Sequence, residues 1–181
     1  PGMVRIPEGS APDLKNKSFR ITADVEVPDG GAAGMLITQG GRFNGWGLYL
    51  LAGKPVFYYN LAGVERTMIA GGDKLPPGKH TIVLDSKYDG PGVGKSTTAT
   101  LLIDGKKATE GKIARTIPFR VSLDETLDIG EDTGTPVSED YHVPFKFTGK
   151  LNKVTVEISP IDKATEKQQQ DGEWAAATQL D

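Results

Sequence analysis

The chain has 181 residues, 37% of them hydrophobic and 25% charged, with 24 acidic against 21 basic side chains and no cysteine. That length suits a single domain with a substantial core. The composition excludes disorder, the net charge of −3 supplies no basic field for nucleic acid, and no apolar run reaches the ~18 residues of a membrane span. Without thiols there are no disulfides, thiolate metal sites or cysteine nucleophiles.

Strand signals dominate from the start. Over residues 17–27, Phe19, Ile21, Ala23, Val25 and Val27 alternate with Arg20, Thr22, Asp24 and Glu26, which sorts apolar and polar side chains onto opposite faces. Pro28-Asp29-Gly30-Gly31 ends that strand. Residues 35–38 read as a more buried strand. Residues 46–51 and 56–61 flank Ala52-Gly53-Lys54, a hairpin signal. Short strands follow at 67–70, 79–84 and 98–103. Asp104-Gly105 is the strongest turn in the chain and predicts a two-residue hairpin into 106–109. Residues 119–123, 127–129 and 151–158 complete about eleven strands, with turn signals every ~8–12 residues. No helical period is sustained before residue 160.

The expected fold is therefore all-β, an antiparallel jelly-roll sandwich of the concanavalin A or laminin-G kind, over residues 1–160. Residues 161–181 form a tail. Its stretch 163–179 is rich in Lys, Glu, Gln and Ala, which suits a solvated or partly helical segment. The sharper alternative is a docking helix anchored by Trp174. Phe19, Ile21, Val25, Ile37, Leu48, Ile82, Leu84, Leu101, Ile103, Val121, Ile129, Val154 and Val156 are the expected core. The Pro1-Gly2 start, with no initiator methionine or leader, reads as a piece of something longer.

Several motifs invite a chemical reading. Residues 90–96 (GPGVGKS) echo a phosphate-binding loop, but Asp89 stands where the motif needs glycine, and strand rather than helix follows Ser96. A turn between strands is the better reading. Residues 124–132 hold Asp124, Glu125, Asp128, Glu131 and Asp132. Sandwich glycosidases pair carboxylates two apart on a strand, whereas Glu125, Asp128 and Glu131 are spaced by three, which turns neighbours to opposite faces. The same cluster offers calcium a hard-oxygen loop at Glu131 and Asp132, with a solvated acidic loop as the alternative. Arg42, Asn44 and Trp46, set among glycines in residues 40–47, form a candidate sugar or anion platform. The competing reading puts Trp46 in the core and leaves Arg42 to close a loop. His80 and His142 have no partner spacing for a metal or a triad.

Longer strings carry a family likeness. PGMVRIPEG at 1–9, PDLKNKS at 12–18, QGGRF at 39–43, GWGLYL at 45–50, PGKH at 77–80, RTIPF at 115–119, SLDET at 122–126 and GEDTGTPV at 130–137 resemble the C-terminal β-domain that follows the catalytic domain in bacterial arylsulfatases. The likeness covers residues 1–158. It implies a non-catalytic accessory domain that packs on an upstream sulfatase catalytic domain or shapes substrate access, in a periplasmic or secreted bacterial protein. Sulfatases use a formylglycine made in a Cys/Ser-x-Pro-x-Arg motif. Ser10-Ala11-Pro12-Asp13-Leu14 has Leu14 where arginine is required, so no converted nucleophile is expected in this chain. The alternative function is a lectin-like carbohydrate-binding module for sulfated glycans.

Overall fold

The computed structural model describes residues 2–178; Pro1 and residues 179–181, the outer ends of the expected domain and tail, lie outside them. After a 3-10 turn at Glu8–Ser10 come ten strands: β1 (Phe19–Val27), β2 (Gly34–Gly40), β3 (Gly45–Leu51), β4 (Lys54–Leu61), β5 (Glu65–Ala70), β6 (Gly78–Tyr88), β7 (Thr97–Ile103), β8 (Lys106–Ile113), β9 (Leu127–Ile129) and β10 (Lys150–Ile158). They form two five-stranded antiparallel sheets, ordered β10-β1-β6-β7-β8 and β5-β4-β3-β2-β9.

Period-two alternation builds the first sheet. Ile21 of β1 lies opposite Leu84 of β6 and Val156 of β10, and Leu84 lies opposite Leu101 of β7. Ile21, Leu84 and Leu101 are fully buried, while Arg20 and Asp85 pair on the outer face. In the second sheet Trp46, Leu48 and Leu50 of β3 face inward, with Trp46 opposite Tyr59 and Leu48 opposite Phe57 of β4. The two inner faces interdigitate as one core, the usual sandwich solution. Of the expected core residues, Phe19, Ile103, Ile129, Val154 and Val156 are only partly buried and pack against its margin.

The second sheet is covered on its other face as well. Met35, Tyr49, Val56 and Tyr58 point outward into a separate cluster with Val137 and Tyr141, and Tyr141 stacks on Phe145 at 4.4 Å. The segment following β9 thus lies across the sheet like a strap. This explains why β2, β3 and β4 are buried along nearly their whole length.

The turns obey local chemistry. Asp104 (φ 50°) and Gly105 (φ 77°) join β7 to β8, and Ala52 (φ 50°) and Gly53 (φ 86°) join β3 to β4. Two consecutive positive φ values are what a type I′ hairpin needs, and its twist matches that of the flanking strands.

Two expectations change. Residues 119–123 form no strand. Their backbone bonds to side chains instead of a ladder: the Val121 and Ser122 N–H groups donate to the Glu8 carboxylate, and Arg120 O accepts from Asn44. Residues 90–96 join β6 to β7 as the expected turn, which is pinned by hydrogen bonds. Gly92 N–H donates to Thr165 Oγ1, Gly94 N–H to Asn16 Oδ1, and Tyr88 O–H to Gly92 O, so the loop amides already have protein acceptors.

Finally, the tail is a helix, α1 (Lys163–Thr178), but Trp174 does not anchor it. Asp162 caps the helix by accepting from the Ala164 and Thr165 N–H groups. Thr165 and Gln169, one turn apart and both buried, dock it on residues 13–16 and 92, and Gly172 packs on Phe119. Trp174 is 73% exposed. A helix this polar is held by hydrogen bonds where the sequence suggested an apolar anchor.

Candidate functional site

At one end of the sandwich the tight loop between β2 and β3 carries the candidate residues. Gly40 pairs with Gly45, and the Gly41 N–H donates to Asn44 O, which closes the loop on itself. Gly41 lies against the side chains of Thr135 and Glu125, and Gly40 against Val121, so a Cβ at either position would clash.

Side chains from distant segments fix the loop in place. Asn60, buried in β4, donates to Arg42 O at 2.8 Å and accepts from Gly63 N–H at 3.0 Å. Asn44 donates to Arg120 O at 3.1 Å and accepts from Ala62 N–H at 3.1 Å. The Arg42 N–H donates to Thr135 Oγ1, whose own O–H donates to Glu125 at 2.6 Å. Residues 41–44, 60–63, 120–125 and 135 are thereby stitched into one surface.

The predicted trio divides three ways. Arg42 presents an exposed side chain. Asn44 is a staple, with both ends of its amide engaged. Trp46 is only 3% exposed on the inner face of β3 and offers no platform. Period two decides its side: Trp46 shares a face with Leu48 and Leu50. The aromatic residue that does project is Phe43, 80% exposed. Arg120, also exposed, lies across the Asn44 bond. Sequence inspection missed Phe43 because Trp46 drew attention. The available signal was an aromatic inside a Gly-Arg-Phe-Asn-Gly loop, where no strand partner can bury it.

The acidic cluster is hydrogen-bonded within the protein. Glu125 holds Thr135. Asp128 accepts from Thr133 N–H and O–H, Arg5 N–H and Thr126 O–H. Burial pushes the Asp128 carboxyl up, but these hydrogen bonds outweigh it and hold the group below the usual carboxylate range. Asp132 is 1% exposed; it accepts from Tyr141 O–H at 2.5 Å and from Gly134 N–H at 3.2 Å. Both of its oxygens are engaged inside the protein and Glu131 is half-buried beside it. Among the described residues no three carboxylate or imidazole side chains gather around a common point. His80 bonds Asp104 at 2.8 Å and Pro76 O at 2.9 Å, while His142 is exposed.

Burial pushes the Asp132 carboxyl up to about 6, against the hydrogen bonds from Tyr141 and Gly134, and the charges of Asp128 and Glu125 add to the rise. A folded-state pKa above the unfolded value means that the folded protein binds the extra proton. The associated stability is present in full below pH ~4 and is lost as pH rises through about 6. From pH 4 to 7.5 wild type is expected to lose on the order of 2–3 kcal/mol relative to Asp132→Asn. Urea melts of both proteins at the two pH values measure this. Parallel pH dependences would mean that Asp132 does not titrate in this range.

A scan against protein-family models finds no match for this chain, and a search of curated proteins finds none either. Solved structures do match. The LG4-5 domains of the mouse laminin α1 chain superpose with a TM-score of 0.57 at 14% identity, over 86% of this chain and 39% of that one. The CBM40 of the Ruminococcus gnavus IT-sialidase, bound to α2,3-sialyllactose, also gives 0.57 at 13% identity, over 82% and 80%. A heptameric SAP-like pentraxin from Limulus polyphemus gives 0.50 at 11% identity, over 92% and 73%. The fold is a concanavalin A-like jelly roll. Identities this low speak for the architecture and leave function to the site. No helix among the described residues is long and apolar enough to cross a membrane.

Proposed function

We propose that the chain is a lectin-like carbohydrate-binding module whose ligand rests on the β2–β3 end of the sandwich. One observation carries this reading: Phe43 stands in solvent on a loop whose backbone is fixed by Asn44, Asn60 and Thr135. Holding a large apolar ring in water stabilises nothing by itself, and the loop is held too firmly to fold the ring away. An exposed aromatic on a fixed backbone suits the apolar face of a sugar ring, because the loop has little order left to lose on binding. The CBM40 that shares this fold is seen bound to sialyllactose, which supports the class of ligand without locating it here.

The test is a glycan array probed with wild type and Phe43→Ala. Wild type should retain a subset of saccharides, and the variant should lose roughly tenfold or more in affinity, since a hot-spot side chain contributes about 1.4 kcal/mol or more. Because Phe43 is 80% exposed, its removal should leave stability within about 0.5 kcal/mol. An array with no retained glycan, or binding indifferent to Phe43, sinks the reading.

The arylsulfatase likeness proposes a setting for such a module: an accessory domain of an exported bacterial sulfatase, holding sulfated glycan near an upstream catalytic domain. One observation favours it. The strings at 39–43, 122–126 and 130–137 contribute Arg42, Glu125 and Thr135 to this same surface. A Cys/Ser-x-Pro-x-Arg motif encoded upstream of Pro1 is the expected finding; an upstream coding sequence without it would remove this setting.

A further inference from the structure

We infer that the platform takes an acidic saccharide, with a sulfate or carboxylate substituent held by Arg42 and Arg120 beside Phe43; this rests on the lectin-like reading above. The charge pattern supports it. Three of the six guanidiniums are in ion pairs, Arg20 with Asp85, Arg66 with Glu139, and Arg115 with Glu65. Arg42 and Arg120 are both exposed and neither forms a salt bridge among the described residues, although Arg42 lies near enough to Glu139 to help hold its carboxyl low. Glu139 is already bonded to Arg66, and Glu125 to Thr135.

The segments that carry these two arginines are bonded to each other. Asn44, two residues after Arg42, donates to Arg120 O, and Gly40 packs on Val121. Phe43 and Arg42 therefore share one loop, and Arg120 stands on the segment bonded to that loop. A guanidinium presents a planar fork of donors that matches two oxygens of a sulfate or carboxylate, and two such forks beside a fixed aromatic recognise an anionic sugar in both charge and shape. A neutral sugar would use the ring and leave both forks in water.

The experiment uses the full chain on an array of sulfated, carboxylated (sialylated or uronic) and neutral oligosaccharides. Wild type, Arg42→Ala/Arg120→Ala and Phe43→Ala are compared at 0.05 and 0.5 M salt, with melting temperatures as a folding control. The expected result is that acidic glycans bind at least tenfold tighter than neutral ones. The double arginine variant should lose that preference, 0.5 M salt should weaken it, and the melting temperature should not move. Signal on the sulfated or on the carboxylated spots identifies which anion is the source. Neutral glycans bound as tightly as acidic ones, by wild type and by the arginine variant alike but not by Phe43→Ala, overturn this inference and leave the lectin-like reading standing. No binding in any class overturns both.

Discussion

Trp46→Ala is expected to destabilise the protein by about 3–5 kcal/mol, the range for truncating a large buried aromatic. Trp46 lies opposite Tyr59 and belongs to the main core with Leu48, Leu50 and Val121. It also lines a small existing cavity of about 30 Å³, together with Gln39, Phe57, Tyr59 and Ile117. Removing the indole would enlarge that void. The site has little freedom to collapse, because β3 is hydrogen-bonded to β2 on one side and to β4 on the other. For a chain of this size each kcal/mol moves the melting temperature by roughly 2–4 °C, so a fall of roughly 6–20 °C should be seen. Denaturant melts give the free energy directly. A loss under 1 kcal/mol would mean that the indole is not packed as described. The contrast with Phe43→Ala is informative: one aromatic should govern stability and the other binding, although they are three residues apart.

Gly34→Ala should cost 3 kcal/mol or more, on the order of the largest single-residue effects, and the variant is expected to accumulate poorly in soluble form. Two causes combine. Gly34 has φ 120°, a conformation that L side chains rarely adopt. An added Cβ would also run into the Lys146 carbonyl and the Phe147 Cα. Neither backbone is free to yield. Met35 N–H donates to Phe145 O, Phe147 N–H to Gly130 O at 2.9 Å, and Thr148 N–H to Ala33 O at 2.8 Å, which clamps the end of the strap to β2. Gly30→Ala is the control, since a Cβ there meets nothing within 4 Å and its φ is not positive. Chemical denaturation of the two variants should separate them widely. Equal stabilities would contradict the close approach at Gly34.

The strap itself was not apparent in the sequence. Residues 132–147 contain Val137, Tyr141, Val143 and Phe145, but proline, glycine and charged residues interrupt any period. Their burial depends on Met35, Tyr49, Val56 and Tyr58 being left uncovered on the far face of the second sheet. Those four residues did mark β2, β3 and β4 as unusually apolar. A strand that is apolar on both faces requires a second covering layer, and the sequence does not say which segment supplies it. Residues 119–123 erred in the opposite direction: a strand-like composition lost its ladder to the Glu8 carboxylate, more than a hundred positions away.

What the sequence determined by itself is the sandwich: the alternating strands and the Ala52-Gly53 and Asp104-Gly105 hairpins. Those features depend on neighbours within a few residues, because burying one face imposes a period of two and a tight hairpin demands positive φ at fixed positions. Only the tertiary structure decided the site. Whether Asn44 binds a ligand or a backbone depends on Arg120, 76 residues away, and the loop carrying Arg42 is held by Thr135, 93 residues away. Asp132 became a buried acceptor because Tyr141 and the strap close over it. Exposure, hydrogen-bond saturation and pKa are properties of the surroundings each side chain acquires on folding, and no local pattern encodes which distant segment will provide them.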